Sequence, residues 1–336
     1  MVHFNFLSDL GKIELLPKKE LEQHYRETGQ CHLLVLDTSV CLDIVSLVKH
    51  GKDSKADKAK IFNLIEYAQK NDIEHFDFFA LLESSYDRTT LDIRYDKFND
   101  FQSMIYFAFN IPIKKFRRLD FNFYRDFHIT IDEKLDENFM RSLVETRLNP
   151  YYAGLLKICE IAQSGLSHSK AEKNILAFLD WMENDFGFII GPQYRLALQV
   201  FGGDSKYRGM LKLGSKKEMI LKETLKTAWD ILHAQISCNN ELISELVDKD
   251  VRPIFVTKDN KLFDLMSPKV GSYLSTSSSK VALVDLKEST LIYSTDFIAK
   301  LNARISQRVN EKFFTEDDID EDYVKKIIKE LENKIL

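Results

Sequence analysis

Proline and glycine are scarce. The 336 residues include 6 Pro and 12 Gly, about half the usual share, which argues against a turn-rich all-β architecture and for a helix-rich one. Cysteine is scarcer still. Cys31, Cys41, Cys159 and Cys238 form no C-x-x-C pair and have no histidine at metal-ligand spacing. Neither a zinc site nor a disulfide framework is therefore expected, and the four are read as reduced, buried thiols of a cytoplasmic protein. Long apolar runs are missing too. The longest uncharged stretch, Phe101 to Ile113, covers 13 residues, short of the roughly 18 that would cross a bilayer. Met1 to Asp9 has neither the basic start nor the apolar core of a secretory signal. No membrane partner is expected. Positive charge is not in excess either: 47 Lys and Arg against 52 Asp and Glu give −5, which excludes a histone-like or ribosomal profile but leaves room for local basic patches.

What is present is an alternation of short buried-strand and helix patterns. His32-Leu-Leu-Val-Leu36 is a continuous apolar run that stops at Asp37, as a strand buried on both faces does. His75–Ala80, Val251–Val256 and Lys280–Leu286 are three more strand candidates, and helical patterns run over Cys41–Lys49, Lys55–Lys70 and Leu221–Ser237. This alternation predicts an α/β sandwich with a mostly parallel central sheet. Residues 93–220 read as a mainly helical insertion, with periodic segments at Phe139–Leu148, Tyr151–Gln163 and Lys170–Asn184. Residues 1–30 read as an N-terminal extension. Gly202–Gly209 lacks the G-K-[ST] ending of a phosphate-binding loop and reads as a plain turn. Residues 311–336 form an acidic C-terminal helix, with nine acids against five bases. Thr315-Glu-Asp-Asp318 is its capping signature, and Val324, Ile327, Ile328, Leu331 and Ile335 share one face. That face either packs on its own domain or takes a protein partner or second copy.

Four acids stand where chemistry would use them. Asp37 and Asp259 each follow a buried strand, and groups just past the carboxyl ends of parallel strands converge on the crevice where such sheets bind ligands. Asp230 lies opposite the apolar stripe Leu221, Leu225, Ala228 and Leu232, between the small residues Thr227 and Ala234. Glu83 opens the helix after the second strand, with Asp77 and Asp87 beside it as alternatives. Gathered carboxylates repel unless a counter-charge is present. Hard oxygen ligands without His or Cys suit one or two Mg²⁺ or Mn²⁺ ions, which activate water and stabilise a leaving oxygen in phosphodiester hydrolysis.

On these residues the chain resembles the PIN-domain family of metal-dependent nucleases. The resemblance rests on Leu33-Leu-Val-Leu-Asp37-Thr-Ser39, Leu82-Glu83, Ala228-Trp-Asp230-Ile-Leu-His-Ala234 and Ile254-Phe-Val-Thr257-Lys-Asp259, and covers about residues 31–92 and 221–298. It implies a PIN-like three-layer domain at 31–92 and 221–300. It also implies Asp37, Glu83, Asp230 and Asp259 as metal ligands, Thr257 as the hydroxyl that orients the cluster, and Ser39 as an oriented polar neighbour. The chain departs from small toxin members of that family in the 146 residues between Glu83 and Asp230.

Two basic stretches offer phosphate contacts. Lys206–Lys222 holds Lys206, Arg208, Lys212, Lys216, Lys217 and Lys222 against Glu218. Pro112–Arg125 holds Lys114, Lys115, Arg117, Arg118 and Arg125, interleaved with Phe116, Phe121, Phe123 and Tyr124. That mixture suits a single strand, whose bases stack while its phosphates are neutralised, or else a core with an ordinary solvated face. Lys49–Lys60 reads as an exposed linker, and His233, one turn past Asp230, as structural. The expected activity is a nuclease, with single-stranded RNA ahead of DNA as the substrate, in a toxin or antiviral defence setting by analogy. An inactive nucleic-acid or protein scaffold and a metal-dependent phosphatase are the alternatives. The phosphatase is disfavoured by Ser39, where that class wants a second Asp.

Overall fold

The charge-free run at residues 32–36 can satisfy its backbone and bury both faces only inside a sheet. In the computed structural model it lies beside the centre of one. The structure describes residues 4–9, 11–87, 93–121, 142–187, 189–267, 272–275, 280–283, 292–311 and 320–336. The chain opens with β1 (Asn5–Ser8), β2 (Gly11–Lys12), α1 (Lys18–Thr28), β3 (Cys31–Leu36), α2 (Thr38–His50), α3 (Lys58–Asn71), β4 (Glu74–Phe76), α4 (Phe78–Ser85), α5 (Tyr95–Asn110) and α6 (Ile113–Phe116). Five helices follow: α7 (Asn149–Gln163), α8 (Ala171–Trp181), α9 (Gly191–Phe201), α10 (Ser205–Met210) and α11 (Lys217–Ser237). The last elements are α12 (Asn240–Leu246), β5 (Val251–Thr257), α13 (Asn260–Met266), β6 (Ser272–Ser275), β7 (Lys280–Leu283), α14 (Thr295–Glu311) and α15 (Glu321–Ile335).

Two compact units divide the chain, the first from Met1–Lys134 and His233–Phe263, the second from Leu135–Leu232 and Asp264–Leu336. The first is α/β. Its five strands run in the order β2-β1-β5-β3-β4. β3 pairs in parallel with both β5 and β4, whereas β1 pairs antiparallel with β5 and with β2. The sheet is therefore mixed, not mostly parallel, because residues 5–12, expected in an extension, supply two antiparallel strands. Pro253 fits within β5 because β1 pairs only as far as Phe255, so the missing N–H leaves no antiparallel rung unmade. The second strand candidate stops at Phe76, where Asp77 breaks it and α4 begins.

Helices α5 and α6, expected in the insertion, pack on α2, α3 and α4 of this unit. Gly51, at the end of α2, has φ 53°, and a Cβ there would lie 2.7 Å from the carbonyl oxygen of Leu119. Only glycine permits that approach, and it seats the segment after α6 against the end of α2. Cys41 and Cys159 are buried and free, while Cys31 and Cys238 are half-buried.

The second unit is helical apart from the antiparallel pair β6 and β7. Lys280–Leu283 thus belongs to a separate ribbon, not to the main sheet, and residues 284–286 lie outside the described ones. Residues 205–210 form a helix capped by Asp204 rather than a plain turn. The C-terminal helix is capped by Asp320, whose side chain accepts from the Tyr323 amide, and residues 315–318 lie outside the described residues. Its apolar face does not await a partner: Val324, Ile327, Leu331 and Ile335 are buried, α15 packs on α7, and Tyr152 Oη donates to Glu332 at 2.7 Å. Among the described residues, no helix is long and apolar enough to cross a membrane.

Candidate active site

Asp37 follows the last residue of β3 and stands at the N-cap of α2, but its side chain does not cap that helix. An N-cap Asp ordinarily accepts from the amides one turn in. Here Oδ2 instead accepts from Ser39 Oγ at 2.5 Å and from Thr257 Oγ1 at 2.8 Å. The carboxylate is 3% exposed. Burial raises its pKa and the charge of Asp259 adds to the rise, while the Ser39 and Thr257 hydroxyls and the Thr38 amide pull it back.

Thr257 is the last residue of β5 and fully buried. Parallel registry puts Leu36 beside Val256, so the residues after them leave the sheet side by side. Thr257 Oγ1 donates to Asp37 and accepts the Asp259 amide at 3.0 Å. One hydroxyl thus ties the two strand-end acids together. Asp259 does cap its helix, with Oδ1 accepting from the Lys261 and Leu262 amides at 2.7 and 3.0 Å. Lys258, between them, is taken up by Asp43 of α2 at 2.7 Å.

Glu83 lies in the last turn of α4, not at its opening, and accepts from Thr38 Oγ1 at 2.5 Å. Thr38 is a connection the sequence reading missed, although it sits between Asp37 and Ser39. Asp77 was also passed over in favour of Glu83. Its Oδ2 is buried without a hydrogen-bond partner, and burial lifts its pKa to about 7. Burial, then the charges of Asp77, Asp37 and Glu83 in that order, push up the Cys41 thiol on the next turn of α2.

Asp230 lies on α11 in the second unit, three positions before His233, which belongs to the first. His233 is buried, with rings of Phe79 and Phe255 at 5.8 and 5.2 Å. Its pKa falls to about 3 through burial, and neither ring nitrogen has a hydrogen-bond partner. Among the described residues, no group of three or more His, Cys, Asp or Glu side chains is arranged to hold a metal ion. The two strand-end acids that Thr257 links, Asp37 through its carboxylate and Asp259 through its amide, still suit Mg²⁺ chemically, since that ion is commonly held by one or two carboxylates and keeps several waters.

The basic stretches divide by what their side chains already do. Lys114, Lys115, Arg117 and Arg118 are exposed, and Arg117 pairs with Glu66 at 2.6 Å. Phe116 and Phe121 are buried and stack on each other at 5.0 Å, so these two rings are core rather than platforms for bases. Phe123, Tyr124 and Arg125 lie outside the described residues. In the second unit, Lys206 pairs with Asp264, and Arg208 donates to the carbonyls of Val200 and Leu166. Lys217 donates to the carbonyl of Leu336. Lys212 and Lys216 are exposed. No protein-family model, no curated protein and no solved structure matches this chain.

Proposed function

We propose that the chain is a divalent-metal-dependent phosphodiesterase of PIN-like type, acting as an endonuclease on single-stranded RNA. The observation that carries the reading is the Thr257 hydroxyl, which joins Asp37 and Asp259 at the carboxyl ends of adjacent parallel strands. A fold needs no such pair, because burying Asp37 away from its helix amides costs stability. Asp37 and Asp259 are the proposed ligands for Mg²⁺ or Mn²⁺. When bound, the ion supplies a Lewis acid for the phosphodiester and lowers the pKa of water. Ser39 and Thr257 orient Asp37 and offset part of the burial that raises its pKa, and Thr38 orients Glu83, the third proposed acid. Asp230 is retained as a fourth acid on the resemblance alone. Lys114, Lys115 and Arg118 are the proposed phosphate contacts, with Lys212 and Lys216 as further ones.

The test is cleavage of labelled single-stranded RNA, single-stranded DNA and a phosphomonoester by the purified chain with Mn²⁺, then with EDTA. Asp37→Ala plus Asp259→Ala, Glu83→Gln and Asp230→Ala follow. RNA cleavage abolished by EDTA and by the double substitution is expected. Cleavage that survives the double substitution removes the assigned site. Turnover of the monoester alone makes the protein a phosphatase, and no turnover of any substrate leaves the scaffold reading.

A further inference from the structure

The amino ends of β3 and β5 carry a second polar feature, at the opposite edge of the sheet from Asp37. His32 and Arg252 are register partners in the parallel pair, so their side chains leave the sheet on one face. With Ile13, Glu14 and Leu16 they line a cavity of about 260 Å³. Asp37 lies five positions after His32, about 16 Å along the strand, so this is not part of the carboxylate site.

His32 is 8% exposed, and neither of its ring nitrogens has a hydrogen-bond partner. Burial, with the charge of Arg252 adding to it, lowers its pKa to about 4. The ring is therefore neutral near pH 7 and carries one buried N–H that lacks an acceptor. His24 packs edge-on against it at 4.8 Å. The tautomer of His24 follows from its partners. Thr28 Oγ1 donates to the His24 carbonyl at 2.7 Å and lies 3.3 Å from His24 Nδ1. Its one hydrogen is spent on the carbonyl, so Nδ1 carries the proton and Nε2 accepts from Arg252 Nη1 at 3.4 Å. The His24 ring thus steadies Arg252. Among the described residues no carboxylate lies within ion-pair range of that guanidinium.

A half-buried guanidinium that lines a cavity with no described carboxylate in ion-pair range is complementary to an anion. We propose that this cavity is a binding site for a small monocarboxylate with a short apolar body. Arg252 grips the carboxylate, the His32 ring forms part of the wall, and Ile13 and Leu16 pack on the hydrocarbon. Glu14 is exposed at the mouth, where it disfavours a second negative charge and so sets a monoanion apart from phosphate dianions and nucleic acid. A volume below the usual 300–1,000 Å³ of ligand pockets restricts the occupant to a small metabolite.

Isothermal titration of the full chain with isovalerate, with inorganic phosphate and isobutanol as comparison probes, tests the site by binding alone, independently of cleavage. Saturable isovalerate binding is expected, weakened at least tenfold by Arg252→Gln, with no saturable binding of isobutanol. Since Arg252 lies in a strand, Glu14→Gln provides a second variant at an exposed position outside it, and this change is expected to bring phosphate binding up toward that of isovalerate. The absence of saturable isovalerate binding overturns the proposal. So does phosphate binding as tightly as isovalerate to the unaltered chain, or a folded Arg252→Gln variant, verified by circular dichroism, that binds like the parent.

Discussion

Thr257 Oγ1 lies 2.8 Å from Asp37 Oδ2, and both residues are buried. The same oxygen accepts the Asp259 amide, so replacing the hydroxyl leaves one buried carboxylate short of a donor and one amide short of an acceptor. Thr257→Val keeps the shape and removes both bonds. It is expected to cost about 1–3 kcal/mol in urea unfolding at pH 7 and to move the Asp37 carboxyl further up. Thr257→Ser, which keeps the oxygen, should recover most of the stability. A Thr257→Val variant as stable as the parent would show that the hydroxyl does not support the pair.

Asp77 should make the chain less stable as pH rises. Its carboxyl titrates at the ordinary Asp value of 3.8 when unfolded and at about 7 when folded. Between those values the unfolded chain has already released the proton that the folded chain still holds, so raising the pH favours unfolding. The penalty begins near pH 4 and is complete above pH 7, with an upper size of about 4 kcal/mol. Asp77→Asn is therefore expected to be nearly neutral at pH 4 and stabilising at pH 8. Urea midpoints across that range read the effect, and an Asn variant with the parent's pH profile would refute it.

His233 serves as a negative test of the site. Burial holds its pKa near 3, its neighbours are Phe79 and Phe255, and neither nitrogen is bonded. A buried polar ring without partners costs stability, so His233→Leu should be neutral or up to about 1 kcal/mol stabilising, net of repacking. RNA cleavage should stay within about twofold of the parent. A loss beyond tenfold in a stable variant would instead place His233 in contact with the substrate.

The ends of β3 and β5 were legible because a charge-free run can only be a buried strand, and an acid that breaks such a run must emerge at the sheet edge. The partners of those strands were not. Asn5–Ser8 is too short to announce itself and becomes a strand by pairing with Phe255–Thr257. Lys280–Leu283 has the same apolar character as β5 yet pairs antiparallel with Ser272–Ser275, because an apolar run specifies burial but not its neighbour. At the site, Asp37, Thr257 and Asp259 came from position in sequence. The Thr38–Glu83 bond and the burial of Asp77 did not, since both depend on how α4 packs beside α2. The Phe116 and Phe121 rings carried an ambiguity that only packing resolves: the same alternation of base and aromatic serves a binding face or a core.

With those two rings buried, the proposed nucleic-acid binding by the segment at 112–121 has to rest on charge. Lys114, Lys115 and Arg118 are exposed, while Arg117 is held by Glu66. For single strands each phosphate contact adds about 0.7 to the slope of log K against log salt. Replacing Lys114, Lys115 and Arg118 together with alanine should flatten that slope by about 2 and weaken binding to all single-stranded sequences alike, since phosphate contacts carry no base information. Arg117→Ala should change the slope far less, because its charge is already paired. Fluorescence anisotropy of a labelled poly-U and a mixed-sequence RNA between 50 and 200 mM salt, about the range over which such contacts are felt, separates the outcomes. An unchanged slope in the triple variant would move the phosphate contacts away from this face. Loss of binding confined to one sequence would instead mean that the residues read bases.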